Sequence, residues 1–404
     1  MAPPPGRPPS GRARFRLWVK RHPATVLLGG GALLAGLLVA GISLLLPGKA
    51  SAAGPAVRVL LASLGSPRSI SLSGAALRAL GPEGEELEIP SSPPWTFRAE
   101  GDLILGPGGK EAGSQVRLAA EGPLLVGPEE RPYPGTILLR AQGGKILVLN
   151  LVPMEAYVAG VVAGELGNRW PYQALLAQAV AARTYALWTR KGRKGAPWDL
   201  ADRATHQVYQ GYQEPDSPVA SAAGETRGMV LAWKGRVIPA WYHSVCGGHT
   251  ARAAGIFPQA PDIPPLAGVA CPWCEGAPYF RWEAGPFPLS RLEKIFGLPR
   301  KETILGLECV KKESASGRWL QVRLVTDRSS KVLPFRKVRR ALGLRSSLIL
   351  QAGISPAGIT FRGGGWGHGV GLCQRGAVAM ALAGRNWKEI LAFYYPGAEV
   401  VERW

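Results

Sequence analysis

The chain has 404 residues, of which 46% are hydrophobic and 19% are charged. This composition excludes a disordered chain, because it can bury a sizeable core and has room for two or three domains. The formal net charge is +20. The basic residues are dispersed and no helix carries a basic stripe, so we do not expect nucleic-acid binding. A strongly basic chain suits a polyanionic or anionic-lipid surface instead.

The N-terminus combines a basic arm with an apolar segment. Residues 1–23 contain six Arg and Lys residues and no acid, and residues 24–46 form an uncharged run of 23 residues. A helix of about 20 residues spans a bilayer, whereas the apolar core of a secretory signal has about 7–15. We therefore predict a transmembrane signal-anchor helix over 24–46 and a linker over 47–55. The basic arm would keep the N-terminus in the cytoplasm.

A cleaved signal peptide is the alternative for this segment. Ala50, Ser51 and Ala52 form a small-residue cleavage pattern just after the apolar run. Both interpretations export the remaining chain, either anchored to the cytoplasmic membrane or secreted. An extracytoplasmic domain rarely meets nucleic acid, which strengthens the exclusion made from charge.

Two regions of different character follow the linker. Residues 56–132 contain short apolar runs separated by turns rich in Pro and Gly, which predicts a small β-rich region with a structural role. Residues 133–404 mix helical and strand patterns, so we predict an α+β fold for the main domain. Within it, residues 281–350 match no catalytic motif and are a candidate insertion.

Glu165 is the first candidate for proton chemistry. Pro153 and Pro171 each occupy the expected first position of a helix, and Gly164 is the expected end of the first helix. This pattern places Glu165 in the connection between two helices. In the second helix, apolar residues recur at helical spacing on one face, and Arg183 and Gln178 are expected on other faces.

Several further motifs resemble one known family. They comprise residues 152–185, 205–211, 238–250, 363–376 and 394–397. Together they extend in family order from about Pro134 to the C-terminus. The sequence resembles the SpoIID domain (stage II sporulation protein D, a lytic transglycosylase) and the related LytB-type enhancers of cell-wall amidases. It departs from the family pattern at Leu166 and Leu372, where Met is usual, and at Cys373, where Ser is usual.

The resemblance implies a SpoIID-like mixed domain and a defined reaction. Glu165 would be the sole general acid and base of a peptidoglycan lytic transglycosylase. The enzyme would cleave the β-1,4 bond between MurNAc and GlcNAc and leave a 1,6-anhydromuramyl end. An ordinary glycosidase needs a second carboxylate, whereas this reaction needs only one. The alternative is a non-catalytic enhancer that binds glycan strands and an N-acetylmuramoyl-L-alanine amidase.

The resemblance also implies substrate-binding residues. They are Arg183, Tyr185, Gln207, Tyr209, His368 and Gln374. Trp366 is suited to stack on a sugar face. Packing inside the domain is the competing interpretation for each of these side chains.

A Cys/His array predicts a metal site. Its members are His243, Cys246, Cys271 and Cys274, in two close pairs. Such spacing suits a structural Zn²⁺ with four protein ligands, and His249 is an alternative ligand. In an exported chain a disulfide among these cysteines is the competing interpretation.

Two cysteines lie outside the predicted array. Cys309 lies in an apolar run and is expected to be a small buried hydrophobe. Cys373 is expected to be a packing variant of the usual serine.

Overall fold

The computed structural model of the chain describes residues 54–298 and 302–404. The predicted basic arm, membrane helix and cleavage site lie outside these residues. In the described residues, no helix has the length and apolar character needed to cross a bilayer. The chain divides into two compact units. The first holds the described residues up to Tyr157, residues 195–212 and Trp404, and the second holds residues 158–194 and 213–403.

The first unit is built on one sheet of ten strands. The strands are β1 (Ala56–Leu60), β2 (Ser69–Leu80), β3 (Glu86–Leu87), β4 (Trp95–Glu100), β5 (Leu103–Leu105), β6 (Gln115–Val126), β7 (Arg131–Tyr133), β8 (Thr136–Gln142), β9 (Lys145–Pro153) and β10 (Leu200–Ala201). Their order is β10-β1-β9-β8-β6-β2-β4-β5, with β3 paired to β2 and β7 paired to β6. Only the β1–β10 pair of this sheet is parallel.

Alternating hydrophobicity explains why these segments form a sheet with one buried face. In β4, Trp95, Phe97 and Ala99 are buried and the residues between them are exposed. Successive side chains of a strand point to opposite faces, so one face packs and the other meets water. Strands β8 and β9 belong to this same sheet, although the sequence analysis assigned them to the later domain. The division between a β-rich region ending at 132 and a main domain starting at 133 stays a prediction.

The second unit contains most of the helices. The eight α-helices of the described residues are α1 (Met154–Glu165), which begins in the first unit, α2 (Tyr172–Gly192), α3 (Pro218–Glu225), α4 (Ala253–Ile256), α5 (Leu289–Phe296), α6 (Phe335–Leu342), α7 (Gln374–Leu382) and α8 (Trp387–Tyr394). With the sheets, they confirm the predicted mixed α+β class.

Four small sheets complete the second unit. Their strands are β11 (Met229–Trp233), β12 (Arg236–Val237), β13 (Tyr242–His243), β14 (Arg281–Phe287), β15 (Ile304–Lys312), β16 (Trp319–Thr326), β17 (Ser330–Pro334), β18 (Leu348–Ser355), β19 (Gly358–Gly364), β20 (Leu372–Cys373) and β21 (Glu399–Glu402). The sheets have the orders β12-β11-β21, β13-β20, β14-β19-β18 and β15-β16-β17. One hydrophobic cluster surrounds α2, α7 and α8, and another lies between α5, α6 and the strands β14–β19.

Helix α2 differs from the prediction of one apolar face. Gln178 and Arg183, expected on other faces, are both fully buried. The helix packs against α3, α7, α8 and β11, so little of its circumference is left to solvent. Its many alanines allow this close packing, because a small side chain lets neighbouring elements approach. The helix begins at Tyr172, one residue after Pro171.

Candidate functional site

Glu165 is the last residue of α1, not part of a free connection as the sequence predicted. The N–H groups of Leu166 and Gly167 both donate to the carbonyl of Val162 at 2.9 and 3.1 Å. Gly167 has a φ of +83°, the left-handed conformation that commonly ends a helix. The helix therefore continues past Gly164 to Glu165, and Gly167 then turns the chain, so the Glu165 backbone keeps regular helical geometry.

Two neutral donors contact the half-buried carboxylate of Glu165. The Tyr242 hydroxyl donates to Oε1 at 3.4 Å, and the Gln374 amide donates to Oε2 at 3.3 Å. Both oxygens are thus oriented by side chains far away in sequence. Hydrogen bonds of a catalytic acid are often long before substrate binds.

The two donors lie in or directly beside two paired strands. Tyr242 begins β13, and Gln374 directly follows β20. The two strands pair in parallel, with Tyr242 opposite Leu372 and His243 opposite Cys373. This pairing brings segments about 130 residues apart to the same carboxylate.

Two histidines, one in β13 and one shortly before β20, have defined tautomers. His368 Nδ1 accepts from the Val370 N–H at 3.0 Å, so its Nε2–H donates to the Tyr242 carbonyl. His243 Nδ1 lies 3.1 Å from the Val370 carbonyl, so that nitrogen carries the proton. Burial lowers the pKa of His368 to about 3 and holds the pKa of His243 well below its usual range. Both rings are neutral near pH 7.

Four buried cysteines form a cluster whose ligand atoms lie within 4.8 Å of one another. The members are Cys246, Cys271, Cys274 and Cys373. All the cysteines of the chain are free thiols, including Cys309, which is half-buried. Four thiols in this arrangement could bind a metal ion, as the spacing of the first three predicted.

The structure places Cys373, and not His243, with the other three predicted ligands. Cys373 takes the place assigned to His243, because the β13–β20 pairing places Cys373 beside the other thiols. His243 donates its Nδ1 proton to the Val370 carbonyl and is not among the four clustered ligands. The alternative ligand His249 directs Nδ1 to the Thr250 carbonyl at 2.7 Å.

Hydrogen-bond donors surround the sulfur atoms. The Cys246 N–H donates to Cys373 Sγ at 3.3 Å, and the Tyr394 hydroxyl lies 3.2 Å from Cys271 Sγ. The Gly247 N–H donates to Cys274. The pKa of Cys274 is lowered, chiefly by its hydrogen bond with Cys246. Donors to thiolate sulfur are the usual outer shell of a metal-thiolate site. The residues present therefore fit a metal ion bound by four thiolates.

Arg318 is fully buried beside this cluster. Its guanidinium donates to the carbonyls of Cys246 and His249 at 2.7 and 3.1 Å. Burial lowers its pKa to about 10, so it remains a cation near neutral pH. A Cβ atom on Gly369 would lie 2.2 Å from Arg318 Cζ, which explains why a glycine is needed there.

Comparison with known proteins identifies the family. The family model described as Stage II sporulation protein (SpoIID) matches residues 142–233. A protein of Brachyspira hyodysenteriae named as uncharacterized is 33% identical over 283 residues, covering 67% of this chain and 72% of that protein. The Stage II sporulation protein D of Bacillus amyloliquefaciens is 29% identical over 275 residues, covering 62% of this chain and 75% of that protein.

The chain belongs to the SpoIID family. The Amidase enhancer of Bacillus subtilis strain 168 is also similar, at 26% identity over 283 residues, covering 59% of this chain and 39% of that protein. Residues 275–371 match a separate model, described as a domain of unknown function (DUF8618). The candidate insertion at 281–350 falls within that match, and its role stays a prediction.

In this SpoIID chain, the predicted substrate-binding residues of the second unit range from fully buried to exposed. Arg183 is buried and donates to the Ala223 and Met229 carbonyls at 2.9 and 3.1 Å. Tyr185 is half-buried beside Trp188, with ring centroids 6.5 Å apart. Trp366 is 45% exposed. Its ring meets Tyr279 edge-on at 4.9 Å.

Gln207 and Tyr209 lie in the first unit and are buried. The Tyr157 hydroxyl donates to Gln207 Oε1 at 2.9 Å, and the Tyr209 hydroxyl donates to Asn150 Oδ1 at 2.8 Å. These are contacts internal to that unit. The proposed role of both residues in substrate binding stays a prediction.

Three residues of this site were not predicted from the sequence. Tyr242 lies inside a recognised motif, but nothing in the motif links it to an acid 77 residues earlier. Cys373 was visible as an unusual residue for the family, and that substitution was the available signal for a fourth thiol. Arg318 lies in the candidate insertion and carries no pattern that separates it from other arginines.

Proposed function

We propose that this chain is a peptidoglycan lytic transglycosylase that acts outside the cytoplasm, anchored by residues 24–46. The observation that carries the proposal is the carboxylate of Glu165, whose two oxygens are oriented by Tyr242 and Gln374. Membership of a cell-wall-related family supports the substrate class. The proposed bond is the β-1,4 linkage between MurNAc and GlcNAc.

The proposed reaction uses Glu165 twice. The protonated carboxyl group donates its proton to the bridging oxygen, and the bond from that oxygen to C1 of MurNAc breaks. The carboxylate then removes the proton from the C6 hydroxyl, whose oxygen bonds to C1 and forms the 1,6-anhydro ring. The acid is regenerated without water, so a single carboxylate is sufficient. Tyr242 and Gln374 hold the carboxylate in place through both steps.

We propose that the exposed aromatic pair Trp366 and Tyr279 contacts the sugar rings. Arg345 lies over the Tyr279 ring with Cζ 4.4 Å from the centroid, which places a cation beside the pair. An aromatic face and a cation suit a glycan whose lactyl groups carry carboxylates. The assignments of His368 and Gln374 as substrate-binding residues remain proposals, and those of Arg183, Tyr185, Gln207 and Tyr209 remain proposals of lower priority.

We further propose Zn²⁺ as the structural metal of Cys246, Cys271, Cys274 and Cys373. Four thiolates in a closed tetrahedral set are typical of structural zinc. Such a metal supplies no open position for a substrate. It would stabilise the loops that carry the cysteines, and the acid chemistry would stay with Glu165.

A second candidate function is supported by the similarity to the Amidase enhancer of Bacillus subtilis. In that case the chain would bind glycan strands and an N-acetylmuramoyl-L-alanine amidase without cleaving the glycan. Retention of an oriented Glu165 favours the enzyme, because an enhancer has no need of such a group.

Mass spectrometry of digested glycan strands tests the proposal. The full-length chain is incubated with strands that carry stem peptides and with strands that lack them. We expect 1,6-anhydromuramyl ends in at least one of the two digests. Reducing ends formed by hydrolysis would contradict the mechanism. Absence of glycan cleavage together with faster release of stem peptides by an amidase would establish the enhancer function.

A further inference from the structure

The cysteine cluster and the two partners of Glu165 occupy the same segments of chain. Gln374 directly follows Cys373, and Tyr242 precedes Cys246 by four residues. The segments meet in the strand pair β13–β20, in which each strand has two residues. The positions of Tyr242 and Gln374 are therefore linked to the positions of two thiols.

A pair of two-residue strands cannot hold its own geometry. Even an isolated hairpin of full length is marginally stable in water, so this shorter pair must be fixed by its surroundings. The thiols supply a cross-link, since Cys373 and Cys246 meet Cys271 and Cys274 from a third segment. The Cys246 N–H also donates to Cys373 Sγ, which ties the two segments directly.

The charge balance of the region fits a bound divalent cation. Four thiolates around one divalent ion carry a net charge of about −2, which a buried site tolerates only with compensating groups. Arg318 supplies a fully buried positive charge beside the cluster, anchored on the Cys246 and His249 carbonyls. The N–H groups of Cys246 and Gly247 add donors directed at sulfur.

We propose that the four-cysteine site, when it holds a divalent metal, positions the catalytic acid. The metal fixes β13 against β20, and this pairing fixes Tyr242 and Gln374 on the two oxygens of Glu165. Gln374 and Tyr242 are positioning residues, and Cys373 is the ligand that couples the metal to them. The catalytic part of this inference rests on the proposed transglycosylase function, whereas the coupling of metal to geometry does not.

The first experiment establishes the site in the full-length chain. Protein purified without added metal is examined by elemental analysis, and Co²⁺ is then titrated into metal-depleted protein. We expect one metal per chain and the thiolate charge-transfer absorption of tetrahedral Co²⁺. Cys373→Ser should weaken metal binding by more than ~10²-fold, beyond the usual effect of losing an outer-shell partner. Cys309→Ser, outside the cluster, should bind metal as the wild type does.

The second experiment measures the coupling by amide hydrogen exchange. Removal of the metal by a chelator should raise exchange at residues 240–246 and 372–377 and leave the β15–β16 hairpin unchanged. Readdition of Zn²⁺ should reverse the change. In a transglycosylase assay the same treatment should lower kcat with little change in KM, because the acid and not the substrate site is displaced. Cys309→Ser should respond to chelator as the wild type does.

Three outcomes would overturn the inference. One is an absence of metal with two thiols missing from the count until reductant is added, which would establish a disulfide. Another is metal removal without any change at residues 240–246 and 372–377. The third is an equal rise in exchange across the hairpin, which would show general stabilisation. Chelation of wild-type protein decides the matter even if Cys373→Ser does not fold. Failure to cleave glycan would overturn only the transglycosylase function.

Discussion

Two glutamates of the second unit have the same local design and different surroundings. Glu165 ends α1 and accepts from the Tyr242 hydroxyl, whereas Glu225 ends α3 and accepts from the Tyr172 hydroxyl at 2.9 Å. Glu225 is exposed, and Tyr172 is 38% exposed. Glu165 is half-buried and has Gln374 on its other oxygen. A Glu–Tyr pair at a helix end is therefore not a site by itself.

The two pairs differ in the structure that supports each tyrosine. Tyr242 is held by a strand pair, by His368 on its carbonyl and by the nearby cysteine cluster. Tyr172 is the first residue of α2 and reaches Glu225 across the surface. Surface pairs contribute little and move easily, whereas a partly buried and cross-linked pair keeps its geometry. Orientation of an acid is thus a property of the supporting structure.

The largest expected effect is the loss of turnover in Glu165→Gln. Gln is nearly isosteric but cannot exchange the proton, and general acid–base assistance is worth about 10²–10⁴-fold in rate. The measurement is the rate of 1,6-anhydromuramyl product formation, with the thermal unfolding curve as a check on folding. Glu225→Gln makes the same change at the end of another helix and should leave the rate unchanged. Near-normal turnover of Glu165→Gln would exclude Glu165 as the acid.

A matched pair of glycine substitutions tests how tightly the buried Arg318 is packed beside the cysteine cluster. Gly369 and Gly384 have φ values of +84° and +83°, so an added methyl group strains the backbone equally in both. Only at Gly369 would that methyl group meet the buried Arg318 guanidinium. We expect Gly369→Ala to lose about 1–3 kcal/mol more unfolding free energy than Gly384→Ala, the usual effect of overpacking. Urea denaturation measures both, and equal losses would show that Arg318 can move aside.

Acid should destabilise the fold through the buried histidines His368 and His243. The folded state keeps His368 and His243 neutral, with pKa values below the unfolded value of about 6.5, so the unfolded chain binds protons first as the pH falls. Stability is full above pH ~6.5 and declines as the pH drops toward the folded pKa, by at most ~1.4 kcal/mol per pH unit for each histidine.

Urea denaturation of the wild type and of His368→Gln at several pH values between 7 and 4 measures this decline. The variant cannot take up the proton at residue 368, so its stability should depend less steeply on pH. Identical slopes would mean that folding does not lower the pKa of His368.

The smallest expected effect is a modest loss of kcat in Tyr242→Phe that Tyr172→Phe does not show. Tyr242→Phe removes one hydrogen bond to Glu165, and a typical hydrogen bond contributes about 0.5–1.5 kcal/mol, equivalent to a loss of up to about tenfold in kcat. Tyr172→Phe removes the corresponding hydroxyl at Glu225 and should not change kcat. An equal response of the two variants would contradict the orienting role of Tyr242. The comparison uses kcat at saturating glycan, so that binding does not contribute.

The sequence by itself determined the α+β class of this protein and singled out Glu165 as its candidate acid. Periodic hydrophobicity predicted the mixed α+β class, since alternation and helical spacing are local properties. The family motifs singled out Glu165, and the spacing of Cys246, Cys271 and Cys274 predicted a thiol cluster. The glycine that terminates α1 was predicted to be Gly164 and is Gly167, because both glycines offer the same local signal.

Only the tertiary structure decided which residues surround these groups. Cys373 replaced His243 in the cluster, and Tyr242 and Gln374 came to Glu165, through the pairing of two strands of two residues each. Arg183 and Gln178 proved to be buried on a helix that is packed on most sides. No local pattern encodes such contacts, because strand pairing and helix burial depend on segments that are distant in the sequence. The sequence shows the chemical type of each residue, whereas packing determines which residues contact it.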